Sequence, residues 1–189
     1  SDVPQERMFL EPTRRDTTAA FINVCLRLVK AGRGDEPTTF LWSDHIFTNE
    51  RKFLEDLKSI AAIIEEHPNA LVVVGHVPLN PNTALGYLKA GQPIPGRSGT
   101  YKVEKFVEKP DRDKAEEYVA NGNYFWNLGY FSLKPAILVE KITKLTPELA
   151  QPIEKLRTTI QQGNETEWAK AYQSFPKEAL EKTFFEKTD

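Results

Sequence analysis

The sequence has a single cysteine, three histidines and no long apolar run. One cysteine excludes an internal disulfide and is typical of a reducing compartment, so we expect a cytoplasmic protein. No stretch approaches the roughly 18 consecutive apolar residues that a membrane-spanning helix needs, and the polar first residues do not predict a signal peptide. The histidines lack the spacing of metal ligands, which argues against a zinc site.

An excess of one charge is also absent. The formal net charge is −2, and there is no polybasic segment, so the sequence predicts neither nucleic acid nor an anionic membrane as a partner. Of the 189 residues, 40% are hydrophobic and 11% are aromatic. This composition is typical of one packed globular domain rather than of a disordered chain.

A glycine-rich phosphate-binding turn is the third absence. Nucleotide sites commonly place such a turn between a strand and the next helix, where backbone N–H groups hold the phosphates. Gly32 and Gly34 instead follow a helical segment and precede a strand, and Gly96 and Gly99 lie in a proline-rich stretch. The residues by themselves therefore predict no phosphate cradle.

The apolar pattern alternates between strands and helices, which predicts an α/β fold with a Rossmann-like, mixed and mostly parallel sheet flanked by helices. Residues 71–74, apolar on both faces, are typical of a central parallel strand. Residues beyond 135 are predicted to be mainly helical. The predicted strands are 8–11, 38–42, 71–74, 87–88, 101–107 and 125–133, and the predicted helix caps are Asp16 or Thr17, Asn49 and Asp111.

Two apolar segments end on charged residues. Asp44 follows the strand at 38–42, and Glu108 and Lys109 follow the strand at 101–107. In open α/β sheets ligands bind beyond the carboxyl ends of the strands, so Asp44 predicts a Mg²⁺ ligand, with a turn cap as the alternative. Glu108 would accept hydrogen bonds from sugar hydroxyls and Lys109 would balance a phosphate, with an edge-strand charge pair as the alternative. His45 is interpreted as a turn residue whose ring is hydrogen-bonded.

Six segments, in order along the chain, resemble motifs of the sugar-1-phosphate nucleotidyltransferases, and most closely of the mannose-1-phosphate guanylyltransferases. One such match is weak, whereas six in the family's order are specific. The third segment stands where the family has Thr-Gly-Tyr-Gly-Tyr-Ile. The segments are Glu11 to Ala19, Leu41 to Ile46, Thr83 to Leu88, Phe106 to Asp111, Phe125 to Phe131 and Phe185 to Thr188.

The resemblance implies transfer of a guanylyl group from GTP to mannose 1-phosphate, giving GDP-mannose and pyrophosphate, with Mg²⁺ as the cofactor. The sugar-phosphate oxygen would attack the α-phosphate in line. Asp44 would hold the Mg²⁺ and Lys109 would face the phosphates. The implied sugar-binding residues are Gly86, Glu108, Asn127 and Gly129, and the implied nucleotide-binding residues are Arg15, Asp16 and Thr17.

The sequence also departs from the family's pattern. The family's glycine-rich first segment would precede Ser1, and its second metal-binding aspartate would follow Asp189. We therefore expect residues 1–189 to form a partial catalytic domain that lacks the N-terminal glycine-rich βα unit and has no useful turnover alone. Residues 1–76 would form the nucleotide and metal side, residues 77–135 the sugar side, and residues 136–189 a mostly helical extension.

Substitutions within the matching segments leave the substrate open. Ala84 and Leu85 replace a glycine and a tyrosine in the sugar-side loop, and Trp42 replaces a proline beside Asp44. One alternative is a nucleotidyltransferase for another sugar 1-phosphate or another nucleotide. A second is a non-catalytic paralogue that binds sugar phosphates. The resemblance also leaves a homo-oligomer open.

Overall fold

The protein is described by a computed structural model that covers residues 3–188. The chain folds as two compact units. We call residues 3–37 and 134–187 the helical unit, and residues 38–133 together with residue 188 the sheet unit. The expectation of one catalytic domain, divided near residues 76 and 135, stays a prediction.

Regular elements occupy most of the described chain. Short 3₁₀ turns lie at Gln5–Arg7, Pro147–Leu149 and Phe185–Lys187. The helices and strands follow in the order α1 (Asp16–Lys30), β1 (Thr38–Phe40), α2 (Glu50–Glu66), β2 (Val72–His76), β3 (Tyr87–Pro93), β4 (Tyr101–Val107), α3 (Arg112–Asn121), β5 (Tyr124–Leu133), α4 (Pro135–Leu145), α5 (Ala150–Gln162), α6 (Glu165–Gln173) and α7 (Leu180–Thr183).

The expectation of a mostly parallel sheet was wrong, because each strand pair among the described residues is antiparallel. Ser132 of β5 stands opposite both β1 and β2, so these two strands lie on its two sides. They run in the same direction, as a strand–helix–strand connection requires. The alternation of predicted strands and helices indicated that β1 and β2 share a direction. It gave no information about β5, which lies between these two strands but comes from much later in the chain.

β5 is therefore the centre of the sheet. Trp126, near its beginning, stands opposite both Tyr87 of β3 and His76 of β2. Since each residue of a strand has one neighbour on either side, β1 and β3 share one edge of β5 and β2 occupies the other. β4 then extends the sheet from β3.

Two of the strand predictions need further correction. Residues 8–11 form no strand, and their apolar side chains are exposed rather than paired in a sheet. The strand expected at 71–74 forms as β2 at Val72–His76, but within residues 3–188 it pairs only with β5 and is partly exposed, so it is not central. A short apolar run indicates a strand without specifying how many neighbours that strand has.

The predicted caps of α2 and α3 are confirmed. The Asn49 side chain accepts a hydrogen bond from the backbone N–H of Lys52 at 3.0 Å. The Asp111 side chain accepts one from the backbone N–H of Lys114 at 2.9 Å. Each bond satisfies a donor that the first turn of a helix leaves without an intrahelical partner.

The aromatic core of the sheet unit lies beneath the beginnings of β3 and β5. Helices α2 and α3 both contact β5. Tyr118 of α3 stacks on Tyr124 with ring centroids 4.0 Å apart. The buried cluster consists of Tyr87, Ala115, Tyr118, Tyr124 and Trp126. This packing holds the first residues of β3 against β5.

The helical unit is built around α1, which packs on α4, α5 and α7. The predicted core residue Cys25 is fully buried, and burial raises the pKa of its thiol. The buried side chain of Asn23 accepts a hydrogen bond from the Trp168 indole N–H at 2.9 Å, which satisfies both groups. Within residues 3–188, none of the helices is both long enough and apolar enough to cross a membrane.

The two caps should respond differently to pH. The backbone N–H of Lys114, and then its ammonium group, lower the pKa of Asp111. A lowered folded-state pKa means that this carboxylate stabilises the fold above its ordinary pKa of about 3.9, and that the stabilisation is lost as the pH falls through the folded-state value. We therefore expect the destabilisation by Asp111→Ala to shrink from about pH 7 to about pH 3.

The control is Asn49→Ala, which removes a cap that does not titrate. It should cost about 1 kcal/mol at both pH values. Urea denaturation of the two variants and the wild type measures both effects. An Asp111→Ala penalty that stays constant across this range would contradict the assigned origin of the pKa shift.

Candidate functional site

β5 contains a bulge between Asn127 and Phe131. Along β2, Val73 faces Phe131 and Gly75 faces Asn127, so two residue steps on β2 span four on β5. β5 therefore carries two extra residues at this point. Bulges bend a strand and redirect its side chains, and they occur often beside active sites.

Gly129 and Asn127 shape the bulge. Gly129 has a φ of +72°, and its N–H donates a hydrogen bond to Asn127 Oδ1 at 3.1 Å. The indole of Trp42 packs against Gly129, so a Cβ at this position would lie 2.5 Å from the indole nitrogen. Both the backbone conformation and the close approach of Trp42 require glycine here.

Beside the bulge, the strand pairing along one edge of β5 is interrupted, and we call this interruption the break. Pairing of β1 with this edge ends at Phe40 opposite Phe131, and pairing of β3 begins at Tyr87 opposite Trp126. Asn127 donates its N–H to the carbonyl of Gly86, just before β3, at 2.8 Å. The residues that leave β1 and those that enter β3 therefore approach the same part of β5.

Gly86, Glu108 and Asn127 lie in one row across the sheet at this break. Glu108 follows Val107, which pairs with Tyr87, so it stands beside Gly86. A Cβ on Gly86 would lie 2.8 Å from Glu108 Oε2. Glycine at position 86 thus leaves room for the Glu108 carboxylate close to the β3 backbone.

Lys109 forms an ion pair with Glu108 at 2.9 Å. The Lys109 side chain is 62% exposed, whereas that of Glu108 is 17% exposed. Lys109 has a φ of +43°, a left-handed conformation that residues other than glycine rarely adopt. The turn after β4 therefore keeps the carboxylate partly buried and leaves the ammonium group accessible to a ligand.

Asp44 lies in an exposed turn after β1. The next residue, His45, forms a hydrogen bond between its Nδ1 and the hydroxyl of Tyr130, which confirms the prediction of a hydrogen-bonded turn residue. Burial raises the pKa of Tyr130, and the negative charge of Asp44 raises it further. The hydrogen bond between His45 and Tyr130 places the Asp44 turn at the Tyr130 end of the bulge.

The carboxylate of Asp44 suits one particular mode of Mg²⁺ binding. Among residues 3–188, no three side chains of His, Cys, Asp or Glu are grouped as metal ligands. Mg²⁺ is usually held by one or two carboxylates together with substrate phosphates and water. The exposed carboxylate of Asp44 fits that mode, in which the ligand supplies most of the coordinating oxygens.

The expected nucleotide-binding residues belong to the helical unit. Arg15 immediately precedes α1, and its Nε is buried without a hydrogen-bond acceptor. Burial raises the pKa of Tyr172, and the positive charge of Arg15 partly opposes this increase. Asp16 has a φ of +62°, and its side chain accepts a hydrogen bond from the adjacent N–H of Thr17. The Thr17 hydroxyl accepts a hydrogen bond from the backbone N–H of Leu180 at 2.8 Å. The expectation that Asp16 or Thr17 caps α1 was wrong, because Thr17 instead holds the start of α7.

The helical unit also contains a cleft of about 310 Å³. It holds none of the predicted site residues. Its lining mixes two lysines with two glutamates, which gives it no clear preference for a charged ligand. The lining residues are Thr146, Glu148, Leu149, Pro176, Glu178, Lys182, Thr183 and Lys187.

Comparison with known proteins decides the family. A model of the family described as nucleotidyl transferase matches residues 2–169. The chain belongs to the nucleotidyl transferase family. The xanthan biosynthesis protein XanB of Xanthomonas campestris pv. campestris (strain B100) is 35% identical over 153 residues, which cover 81% of this chain and 31% of XanB. A mannose-1-phosphate guanylyltransferase of Klebsiella pneumoniae is 31% identical over 160 residues, which cover 84% of this chain and 33% of that enzyme.

This nucleotidyl transferase chain therefore spans about a third of the length of these curated relatives. Its fold resembles the crystal structure of mannose-1-phosphate geranyltransferase from Thermus thermophilus, with a TM-score of 0.79 and 28% identity. That similarity covers 97% of this chain and 50% of the other. It confirms the predicted α/β nucleotidyltransferase fold.

Two side chains of the candidate site were absent from the sequence-based set. Trp42, which packs on Gly129, had a detectable signal, since it departs from the proline of the resembling family. Tyr130 had none, because its contact with His45 joins residues 85 positions apart. Such a pairing depends on the register of β1 beside β5, which local sequence does not reveal.

Replacing Gly129 tests the packing of the bulge. We expect Gly129→Ala to destabilise the protein more than Gly122→Ala does. Gly122 has a similar φ of +78° but has nothing within 4 Å of an added Cβ, so it isolates the cost of the left-handed backbone, about 1–2 kcal/mol. The collision with Trp42 should add about 1–3 kcal/mol at position 129. Denaturant unfolding of both variants measures the difference, and equal losses would show that Trp42 does not constrain the bulge.

Proposed function

We propose that the protein transfers a guanylyl group from GTP to mannose 1-phosphate and releases pyrophosphate. The observation that carries the proposal is the meeting of two groups of residues at the β5 bulge. Gly86, Glu108 and Asn127 form one row across the sheet, and the Asp44 turn approaches the same stretch of β5. Relatives named mannose-1-phosphate guanylyltransferase support the choice of substrates.

The row across the sheet has the chemistry of a sugar subsite. Glu108 offers carboxylate oxygens that accept hydrogen bonds from hydroxyl groups. Gly86 and Gly129 lack side chains, which lets the Glu108 carboxylate and the Trp42 indole lie against the strands that would border the sugar. The amide oxygen of Asn127 already accepts the Gly129 N–H, and its role would be to hold the bulge in the shape that the sugar meets.

Lys109 and Asp44 would act on the phosphates. In the proposed reaction an oxygen of the sugar phosphate bonds to the α-phosphorus of GTP, and the bond from that phosphorus to the β-bridging oxygen breaks. The exposed ammonium group of Lys109 would neutralise charge on the phosphate oxygens. Mg²⁺, held by Asp44 and by phosphate oxygens, would supply further charge neutralisation. Such catalysis consists mainly of positioning and electrostatic stabilisation.

A different sugar 1-phosphate is the second candidate, and the packing of Trp42 favours it. The indole covers one side of Gly129, where the resembling family has the smaller proline beside its aspartate. A bulky ring at the wall of a sugar pocket changes which substituents the pocket accepts. The substrate would then be a sugar phosphate that differs from mannose 1-phosphate on the side facing this wall.

Product analysis separates these candidates. The protein expressed from its complete reading frame is incubated with each pairing of a nucleoside triphosphate and a sugar 1-phosphate. Mass spectrometry identifies the nucleotide sugar, and a coupled assay measures pyrophosphate. GDP-mannose as the main product supports the proposal, and another nucleotide sugar supports the second candidate. Binding of sugar phosphate without pyrophosphate release from any pair would overturn both in favour of a non-catalytic binding protein.

Replacing Asp44 tests the metal role. We expect Asp44→Asn to lower kcat/KM by at least about 100-fold, since it removes the carboxylate charge that would hold the cation. The matched control is Asp56→Asn, which changes an exposed aspartate on α2 that pairs with Lys52. Steady-state rates at several Mg²⁺ concentrations measure the effect. Equal rates in the two variants would remove Asp44 from the mechanism.

Replacing Lys109 tests charge neutralisation at the phosphates. Loss of one preorganised donor to the transition state typically lowers kcat about 100- to 1,000-fold, and we expect Lys109→Ala to fall in that range. The control is Lys102→Ala, an exposed lysine on β4. Lys109→Ala with near-wild-type turnover would mean that its pairing with Glu108 is only structural.

A further inference from the structure

The Asp44 turn is anchored by aromatic side chains. Residues 41–49, which connect β1 to α2, contain no helix or strand. The ring of His45 meets that of Tyr130 edge-on, with centroids 5.2 Å apart and an angle of 70° between the planes. The two side chains are also joined by the hydrogen bond between His45 Nδ1 and the Tyr130 hydroxyl.

Phe47 adds a second anchor to the same connection. Its ring stacks on Phe53 of α2 with centroids 3.7 Å apart, and it lies 5.9 Å from the ring of Tyr130. We call His45, Phe47, Phe53 and Tyr130 the aromatic clasp. It joins the connection to a buried residue of β5 on one side and to α2 on the other.

Burial differs sharply between the two ends of the clasp. Tyr130 is only 2% exposed, whereas His45 and the neighbouring Asp44 are both exposed. A buried tyrosine in a strand cannot move without disturbing the sheet, while an exposed turn without ladder hydrogen bonds has many accessible conformations. The buried Tyr130 therefore restricts the conformations of the turn that contains Asp44 and His45.

We propose that Tyr130, acting through His45, is a positioning residue that holds the carboxylate of Asp44 where a divalent cation binds. The inference rests on the proposed function, since it takes Asp44 as the cation ligand. Tyr130 lies in the segment from Phe125 to Phe131 but is not among the residues to which the resemblance assigns a role. The clasp links the cation-binding turn to the residue next to Gly129, and so to the sugar side of the site.

The competing explanation is that the clasp stabilises the sheet unit and has no effect on Asp44. Both explanations predict some loss of stability when the hydroxyl of Tyr130 is removed. Only the positioning role predicts a specific change in the concentration of divalent cation that the protein requires. Cation dependence is therefore the measurement that separates them.

The test compares Tyr130→Phe with Tyr118→Phe in the protein expressed from its complete reading frame. Tyr118 is also a buried tyrosine of the sheet unit, but it packs on Tyr124 and lies outside the clasp. Loss of one hydrogen bond should raise the Mg²⁺ concentration for half-maximal rate roughly three- to tenfold in Tyr130→Phe. Tyr118→Phe should leave this concentration unchanged. Equal Mg²⁺ requirements in the two variants would overturn the inference.

His45→Ala provides a second arm, because Tyr130 is proposed to act through His45. It should raise the Mg²⁺ requirement by a similar factor, and the double variant with Tyr130→Phe should raise it no further. This non-additivity is expected of two residues that share one interaction. Additive effects would show that the two side chains act independently, which would contradict the clasp.

Binding of Mn²⁺ in the presence of GTP, measured by water-proton relaxation, separates the inference from the proposed function. If the wild type transfers no nucleotide but binds Mn²⁺, weaker binding by Tyr130→Phe than by Tyr118→Phe would still support the clasp, while the proposed function would fail. If the wild type transfers nucleotide and both variants bind Mn²⁺ equally well, the clasp would fail and the proposed function would stand. Absence of Mn²⁺ binding by the wild type would overturn the inference directly.

Discussion

The bulge in β5 is the constraint on which the candidate site depends. Two extra residues enter β5 opposite β2, and the hydrogen bond from the Gly129 N–H to Asn127 Oδ1 closes the resulting turn. On the other edge of β5, the pairing with β1 stops before the pairing with β3 begins. The bulge and the break therefore lie along the same stretch of β5, beside which Gly86 and Glu108 stand.

Close backbone packing then determines which side chains lie beside that stretch. Gly86 lets the Glu108 carboxylate lie beside the β3 backbone, and Gly129 lets the Trp42 indole lie against β5. In both cases a side-chain group of another residue occupies the space that a Cβ would fill. The glycines of this site therefore allow two segments of the chain to pack closely. In glycine-rich nucleotide-binding loops, by contrast, the glycines let the backbone contact phosphates.

Sequence reasoning identified the local features well. The caps at Asn49 and Asp111, the strands at 101–107 and 125–133, and the buried Cys25 all follow from short-range patterns and are found in the structure. The parallel sheet that was expected to bring the site residues together is not present among the described residues. Asp44 follows β1 and Glu108 follows β4, and these strands run in opposite directions, so their carboxyl ends do not meet as in a parallel sheet. The break along β5 brings their neighbouring residues together instead.

The amino-acid sequence alone determined the α/β class, the main helices and strands and the family, because periodicity, caps and ordered motifs are properties of contiguous residues. Only the tertiary structure decided that β5 lies between β1 and β2, that Trp42 packs on Gly129, and that Tyr130 binds His45. Each of these contacts joins residues that are distant along the chain. Their geometry depends on strand register, which is set by the packing of the whole sheet rather than by any one segment.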